Sequence, residues 1–246
     1  MQQTEDIIFG IHPVVEAIQS GKEIDKIYIQ QDIKGTGITE LRKAIKEHKI
    51  PFSHVPVFKL NKHVKGNHQG VIAFVSPIAF ANLEMLVPSL FEQGKTPLIL
   101  ILDRITDVRN FGAICRTAYC AGVDAVVIPK RESAQINADA MKTSAGALNY
   151  IPVCKSDNLT DTAYFLQSSG IQIVACTEKT NELIYQADFS QPTAIIMGNE
   201  ESGISNQLMK LADAKVKIPM LNEFSSLNVA NASAIIVYEA VKQRSV

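Results

Sequence analysis

The chain has 246 residues, enough for one large domain or two modest ones, and its 46% hydrophobic content is that of a globular protein with a substantial core. A net charge of −1 does not advertise a nucleic-acid binder, no apolar run reaches the length of a membrane span, and the opening MQQTEDIIFG has neither a basic leader nor a signal-peptide core. A cytoplasmic protein with no membrane partner is therefore expected. Cys115, Cys120, Cys154 and Cys176 form no C-x-x-C pair and lie in apolar runs, so they read as reduced core thiols, with no disulfide framework and no metal site.

The N-terminal part reads as a small α/β unit. The segment 11–21 suggests a short helix with Pro13 in its first turn and Gly21 past its end, residues 25–30 alternate as a strand, and 38–49 form an amphipathic helix. VPVFKL (55–60) and GVIAFVSP (70–77) read as two more strands, joined by NKHVKGNHQG. That polar, basic connection could touch phosphates; a solvated loop is the alternative. Residues 1–77 carry 10 Lys+Arg against 8 Asp+Glu and all five histidines, whereas 78–246 carry 14 against 17. The imbalance permits an RNA-facing first half without requiring one. Residues 78–97, with one helical piece at 82–91 and a Gly-Lys-Thr-Pro breaker, read as a linker, which gives domains at 1–77 and 98–246.

From residue 98 onward, strands alternate with helices. Strands are expected at 98–103, 123–128, 151–154, 171–176, 193–197 and 215–219, and helices at 111–121, 137–147, 159–168, 204–213 and 227–242. Near-continuous apolar strands between helices imply an α/β fold with a buried parallel sheet. Ligands in such sheets bind beyond the carboxyl ends of the strands, which singles out loops 103–111, 198–204 and 220–226.

Each loop carries polar residues in an apolar setting. Asn110 and Gly112 stand at the first loop-to-helix junction, and Arg116 follows six residues after Asn110, among Ala113, Ile114, Cys115 and Ala118. There it must meet an anion or a carbonyl; a structural salt bridge is the alternative. The second loop, IIMGNEESGIS, has G-x-x-x-x-G spacing, but Ile204 stands where a phosphate-binding loop needs lysine, and Glu200 and Glu201 would repel phosphate. A neutral or cationic ligand such as a sulfonium suits it better; an ordinary strand-turn-helix connection is the alternative. No G-x-G-x-x-G follows the first strand of the sheet, which argues against a dinucleotide. In the third, Ser226 can cap a helix rich in small residues, along which Asn228 and Asn231 would need partners if buried.

NFGAICRTA, IIMGNEESGIS and IPMLNEFSSLNVANASAIIVYEA, in this order, resemble the three motifs of the SpoU/TrmH-type RNA 2′-O-ribose methyltransferases of the SPOUT superfamily. IFGIHPVVEAI and NHQGV are similar to the substrate-binding domain of the subgroup that methylates a guanosine of bacterial 23S ribosomal RNA. The resemblance implies an α/β catalytic domain with a C-terminal trefoil knot, preceded by a small α/β substrate-binding domain. It implies S-adenosylmethionine held around Thr177, Met197, Gly198, Gly203, Ile218, Met220 and Leu227, with Asn110, Arg116, Glu200, Ser226 and Asn228 as polar site residues. It also implies an RNA substrate, most directly 23S rRNA, and a homodimer packed through the knot helices. Two alternatives stay open: a transfer RNA substrate, and a catalytically silent RNA-binding or ribosome-assembly protein on the same fold.

Overall fold

The computed structural model describes residues 7–222 and 226–245, so residues 223–225 of the third candidate loop lie outside the described part. The chain forms two compact units, residues 1–79 and 80–246.

The first unit is a four-stranded sheet of β1 (Ile7–Phe9), β2 (Ile24–Gln30), β3 (Phe52–Val55) and β4 (Val71–Val75), in the order β1-β4-β2-β3. β4 runs antiparallel to both neighbours, and β2 and β3 run parallel. Helices α1 (Ile11–Gln19) and α2 (Thr36–Glu47) cover one face, closing a core of Val14, Ile18, Leu41 and Ile45 on Ile27, Ile29, Val71 and Ala73. The other face is covered by α3 (Val57–His63), and this corrects the strand expected at 55–60. The short apolar run of Val55, Val57 and Phe58 suggested a strand, but Leu60 and Val64 stand one helical turn apart and are both buried against Ile72 and Phe74. Val57 and Phe58 are exposed.

The second unit holds a six-stranded sheet in the order β10-β8-β9-β5-β6-β7, with every neighbouring pair parallel. The strands are β5 (Leu98–Asp103), β6 (Ala125–Pro129), β7 (Val153–Ser156), β8 (Gln172–Cys176), β9 (Thr193–Gly198) and β10 (Ala214–Val216). All six residues of β5 are buried, as a strand with helices on both faces requires. Helices α4 (Leu83–Glu92), α5 (Val108–Cys120), α6 (Ala138–Thr143), α7 (Leu159–Ser168), α8 (Asn206–Leu211) and α9 (Val229–Arg244) pack around it. The segment read as a linker therefore carries α4, whose Leu83 and Val87 join the core with Ile99, Val127 and Ile196.

Some boundaries moved for local reasons. The helix expected at 137–147 ends at Thr143 and is followed by a 3-10 turn at Ala147–Asn149, with Gly146 at φ +85° between them. β10 ends at Val216, because Lys217 turns to bond Glu182 and Ile184 through its N–H and C=O. α9 starts at Val229, and its N-cap is Asn228, whose Oδ1 accepts from Ala230 N at 3.0 Å; this corrects the cap expected at Ser226, which is exposed.

α9 lies on α5, with Val229, Ser233, Ile236, Val237 and Ala240 buried. Its small residues serve this close approach within the chain, and the Ser233 hydroxyl donates to the Val229 carbonyl at 2.7 Å. The far end of α9 is tied down by Arg244, which donates to the carbonyls of Thr96, Pro97, Phe189 and Gln191, and by Gln243, which accepts from Phe189 N and donates to the Ala187 carbonyl.

Candidate active site

Across the adjacent strands β10, β8, β9 and β5, Val216, Cys176, Met197 and Leu102 stand level, so the segments after them leave the carboxyl edge of the sheet side by side. Asn110, Glu200 and Asn228, which are far apart in sequence, meet beyond that edge. Asn110 reaches it because Asp107 caps α5, accepting from Asn110 N at 2.8 Å. Asn110 Nδ2 donates to Glu200 Oε1 at 3.1 Å. Asn228 Nδ2 donates to Glu200 Oε1 at 2.7 Å and to Asn110 Oδ1 at 3.0 Å. The same Glu200 oxygen accepts from Val229 N at 3.2 Å, placing a carboxylate at the positive end of the α9 dipole. One side chain thus joins the first two candidate loops to the start of α9, just after the third.

The 198–204 loop is held from beneath by residues the sequence reading did not single out. Asp103, 3% exposed, accepts from Ser205 N at 2.6 Å and pairs with Arg104 at 3.1 Å. Arg104 takes a left-handed backbone (φ 59°) and donates to the Gly203 carbonyl at 3.0 Å, while its own carbonyl accepts from Asn199 Nδ2 at 2.9 Å. Asn199 Oδ1 in turn accepts from Glu201 N and Ser202 N. The signal was there to read: an Asp-Arg pair ends an otherwise apolar strand. Gly198 is required sterically, since a Cβ there would collide with the backbone of Gly203 and Ile204. Gly203 takes φ +67° in open space.

Arg116 points to solvent, and this corrects its expected apolar setting. Ile114, Cys115 and Ala118 are buried on the inner side of α5, while Arg116 shares the outer stripe with Arg109, seven residues earlier. Among the described residues it has no hydrogen-bond or ion-pair partner. Gly112 lets α5 cross α6 closely, as its Cβ would stand 2.8 Å from Thr143 Cβ. Ser226 is likewise exposed, and Asn231 faces water, which removes the cost of a buried amide.

The residues expected at the cofactor share the same edge. Thr177 follows β8 and is buried, donating from its N–H to the Val216 carbonyl at 2.9 Å; its hydroxyl accepts from Lys179 N. Met197 and Gly198 end β9, and Met197 is 3% exposed. Ile218, Met220 and Leu227 lie between β10 and α9; Ile218 is partly buried, and Met220 and Leu227 are exposed. Burial pushes the Cys154 thiol up to about 11, and burial together with Glu178 pushes Cys176 up to about 12, so both stay protonated. Cys120 is exposed, which corrects its reading as a core thiol.

Residues 97–238 match the SpoU rRNA methylase family, and residues 7–81 match the RNA 2′-O ribose methyltransferase substrate-binding family. The chain is 38% identical, over 98% of its length and 97% of the relative's, to a Staphylococcus saprophyticus protein assigned to the TrmH family of tRNA/rRNA methyltransferases. Among solved structures it resembles the SpoU methyltransferase AviRb of Streptomyces viridochromogenes, with a TM-score of 0.61 and 24% identity over 98% of this chain and 90% of that one. It also resembles the A. aeolicus TrmH/SpoU tRNA modifying enzyme, with a TM-score of 0.56 and 32% identity over 66% and 84% of the two chains. The chain belongs to the SpoU/TrmH family of RNA methyltransferases.

Proposed function

We propose that the protein transfers a methyl group from S-adenosylmethionine to a ribose 2′-hydroxyl of RNA, and that its substrate is a guanosine of 23S ribosomal RNA. The observation that carries this reading is the single Glu200 oxygen that joins Asn110, Asn228 and the start of α9 at the carboxyl edge of the sheet. AviRb has been solved in complex with AdoMet. The residues present here fit that ligand. The tight turn at Gly198 and Gly203 offers backbone groups at close range, Met220 and Leu227 offer apolar surface for a purine, and the acidic loop suits a cationic sulfonium.

When bound, S-adenosylmethionine supplies an electrophilic methyl. The chain must hold the ribose so that its 2′-oxygen faces that methyl in line, at about 3–3.5 Å. Asn110 and Asn228 orient the ribose, and Glu200 fixes both amides by accepting from each. Arg116, a guanidinium with no carboxylate partner among the described residues, has one of two roles: it takes the hydroxyl proton as base with help from a nearby RNA phosphate, or it stabilises the alkoxide that develops as that proton leaves to water. Thr177, Met197, Gly198, Gly203, Ile218, Met220 and Leu227 hold the cofactor.

The reading extends to a trefoil knot built from the segments around β10 and α9, and to a homodimer in the cytoplasm. Ile235 and Tyr238, exposed on the outer side of α9, support the dimer. Among the described residues no helix is long and apolar enough to cross a membrane.

The test is transfer of labelled methyl to ribosomal RNA from a strain lacking this protein, with the product mapped by primer extension. A single stop in 23S RNA, absent with Arg116→Ala while cofactor binding survives, is expected. Retained turnover in Arg116→Ala would remove that residue from the mechanism. Incorporation only into transfer RNA would replace the substrate.

A further inference from the structure

The face of the first unit's sheet beside α3 carries cations and rings that the methyl-transfer reading does not use. Lys26 Nζ stands 5.1 Å from the Tyr28 ring centroid and 5.4 Å from that of Phe74, and Lys59 Nζ stands 4.8 Å from the Tyr28 ring. His63 packs edge-on to Phe74 at 5.1 Å and tilted to Tyr28 at 5.9 Å. Lys62 Nζ lies 5.7 Å from the ring of Phe58, which is 59% exposed.

Two ammonium groups therefore share one ring, and among the described residues neither has an ion-pair partner. The stretch of sequence around α3 offers none, since no acidic residue occurs between Glu47 and Glu84 while Lys49, Lys59, Lys62 and Lys65 do. Like charges held together without a counter-ion cost free energy that a bound anion would recover. The same crowding shows at His63, whose pKa is lowered by partial burial and then by Lys26 and Lys59, so its ring is neutral at physiological pH.

The adjoining loop at 61–70 is built differently. His68 is buried, its Nδ1 accepts from Gly70 N at 2.9 Å, and its Nε2 donates to Asn61 Oδ1 at 2.8 Å. Gln69 Oε1 accepts from Ile11 N. This loop braces α1, and the unpaired charge lies on α3 and β2.

We propose that this face binds an unpaired stretch of the RNA substrate, with a base stacked on Phe58 and with Lys26, Lys59 and Lys62 taking the flanking phosphates. The inference rests on the reading that the substrate is RNA. An exposed ring gains from stacking only where a base has left its helix, and an A-form duplex hides its base faces, so the combination of ring and lysines selects single strands.

The test is fluorescence polarisation with the full chain and an unstructured oligoribonucleotide of about twelve nucleotides, read against its duplex and over a range of salt concentrations. Phe58→Ala is expected to weaken single-strand binding by about 5- to 150-fold with its salt dependence unchanged. Lys59→Ala/Lys62→Ala should lower the log–log salt slope by about 1.4. Phe52→Ala serves as the control, since it removes a ring on the opposite face, whose strand neighbour Ile27 packs under α1 and α2, and should bind as the parent does. Phe58, Lys59 and Lys62 are all exposed, so an unchanged denaturation midpoint confirms that the variants fold. No binding by the parent, equal affinity for duplex, or an unaffected Phe58→Ala would each overturn the inference. Binding through these residues without methyl transfer would leave it standing and remove the proposed reaction, while normal methyl transfer with RNA binding unchanged in the variants would do the reverse.

Discussion

Glu200 accepts three hydrogen bonds at one oxygen, so its neighbours cannot be independent of it, and a double-mutant cycle measures this. Glu200→Ala removes the acceptor for Asn110 Nδ2, Asn228 Nδ2 and Val229 N. A typical hydrogen bond contributes a net ~0.5–1.5 kcal/mol, and one to a charged group ~1.5–3 kcal/mol when shielded from water. Glu200 is exposed, so water takes over part of each lost bond, and the expected loss is about 1–2 kcal/mol, including the charge at the α9 N-terminus. Asn110→Ala removes its bond to Glu200 and the acceptor for Asn228 Nδ2, for about 0.5–1.5 kcal/mol. The double variant should be less destabilised than the sum of the singles by at least ~0.5 kcal/mol, since both remove one shared bond. Urea denaturation of the parent, the two singles and the double reads this directly. Additivity within about 0.3 kcal/mol would show that the junction at Glu200 does not exist in solution.

Three further outcomes follow from the same geometry. Gly198→Ala should disrupt the 198–204 loop, lowering stability by several kcal/mol or abolishing cofactor binding measured by calorimetry, because its Cβ would meet backbone; Gly203→Ala, in open space, should cost only the ~1 kcal/mol of a left-handed alanine. Arg244→Ala should lose about 2–4 kcal/mol in the same denaturation assay, since four carbonyls lose a charged donor at once, and Arg244→Lys should recover little because an ammonium cannot fan out to all four. At pH 8 a thiol reagent should modify Cys120 in the folded protein and leave Cys115, Cys154 and Cys176 intact until denaturant is added, because burial holds those three thiols protonated. Rapid labelling of Cys176 before unfolding would contradict its place in the sheet.

Much of the second unit was legible because period and burial agree there. β5 and α7 lie at the expected residues, since LILILD can only be a strand buried on both faces and Asn158 caps a run with helical spacing. The junction of Asn110, Glu200 and Asn228 was readable only through the resemblance, because its three bonds span 90, 118 and 28 residues and no local pattern encodes them. α3 was misread because a short apolar run of six residues fits a strand as readily as a helix, and only the burial of Val64, outside that window, decides between them. Arg116 was placed among apolar neighbours of which Ile114, Cys115 and Ala118 turn inward, so sequence adjacency misled where helix geometry would have set it on the outside with Arg109. The Asp103–Arg104 support fell between two expected elements and was passed over as a strand end.

The position of α9 has a consequence for how the protein is made. This helix follows the other described elements in the chain, yet it covers α5, more than a hundred residues upstream, and Arg244 ties it to residues 96–97 and 189–191. Until α9 has emerged, α5 lacks this part of its cover, and the junction at Glu200 lacks two of its three donors. The first unit, complete by residue 79, can fold early in synthesis; the second can only finish once α9 has emerged. Nascent chains stalled before α9 has emerged should therefore be cut by protease within the second unit and resist cleavage in the first.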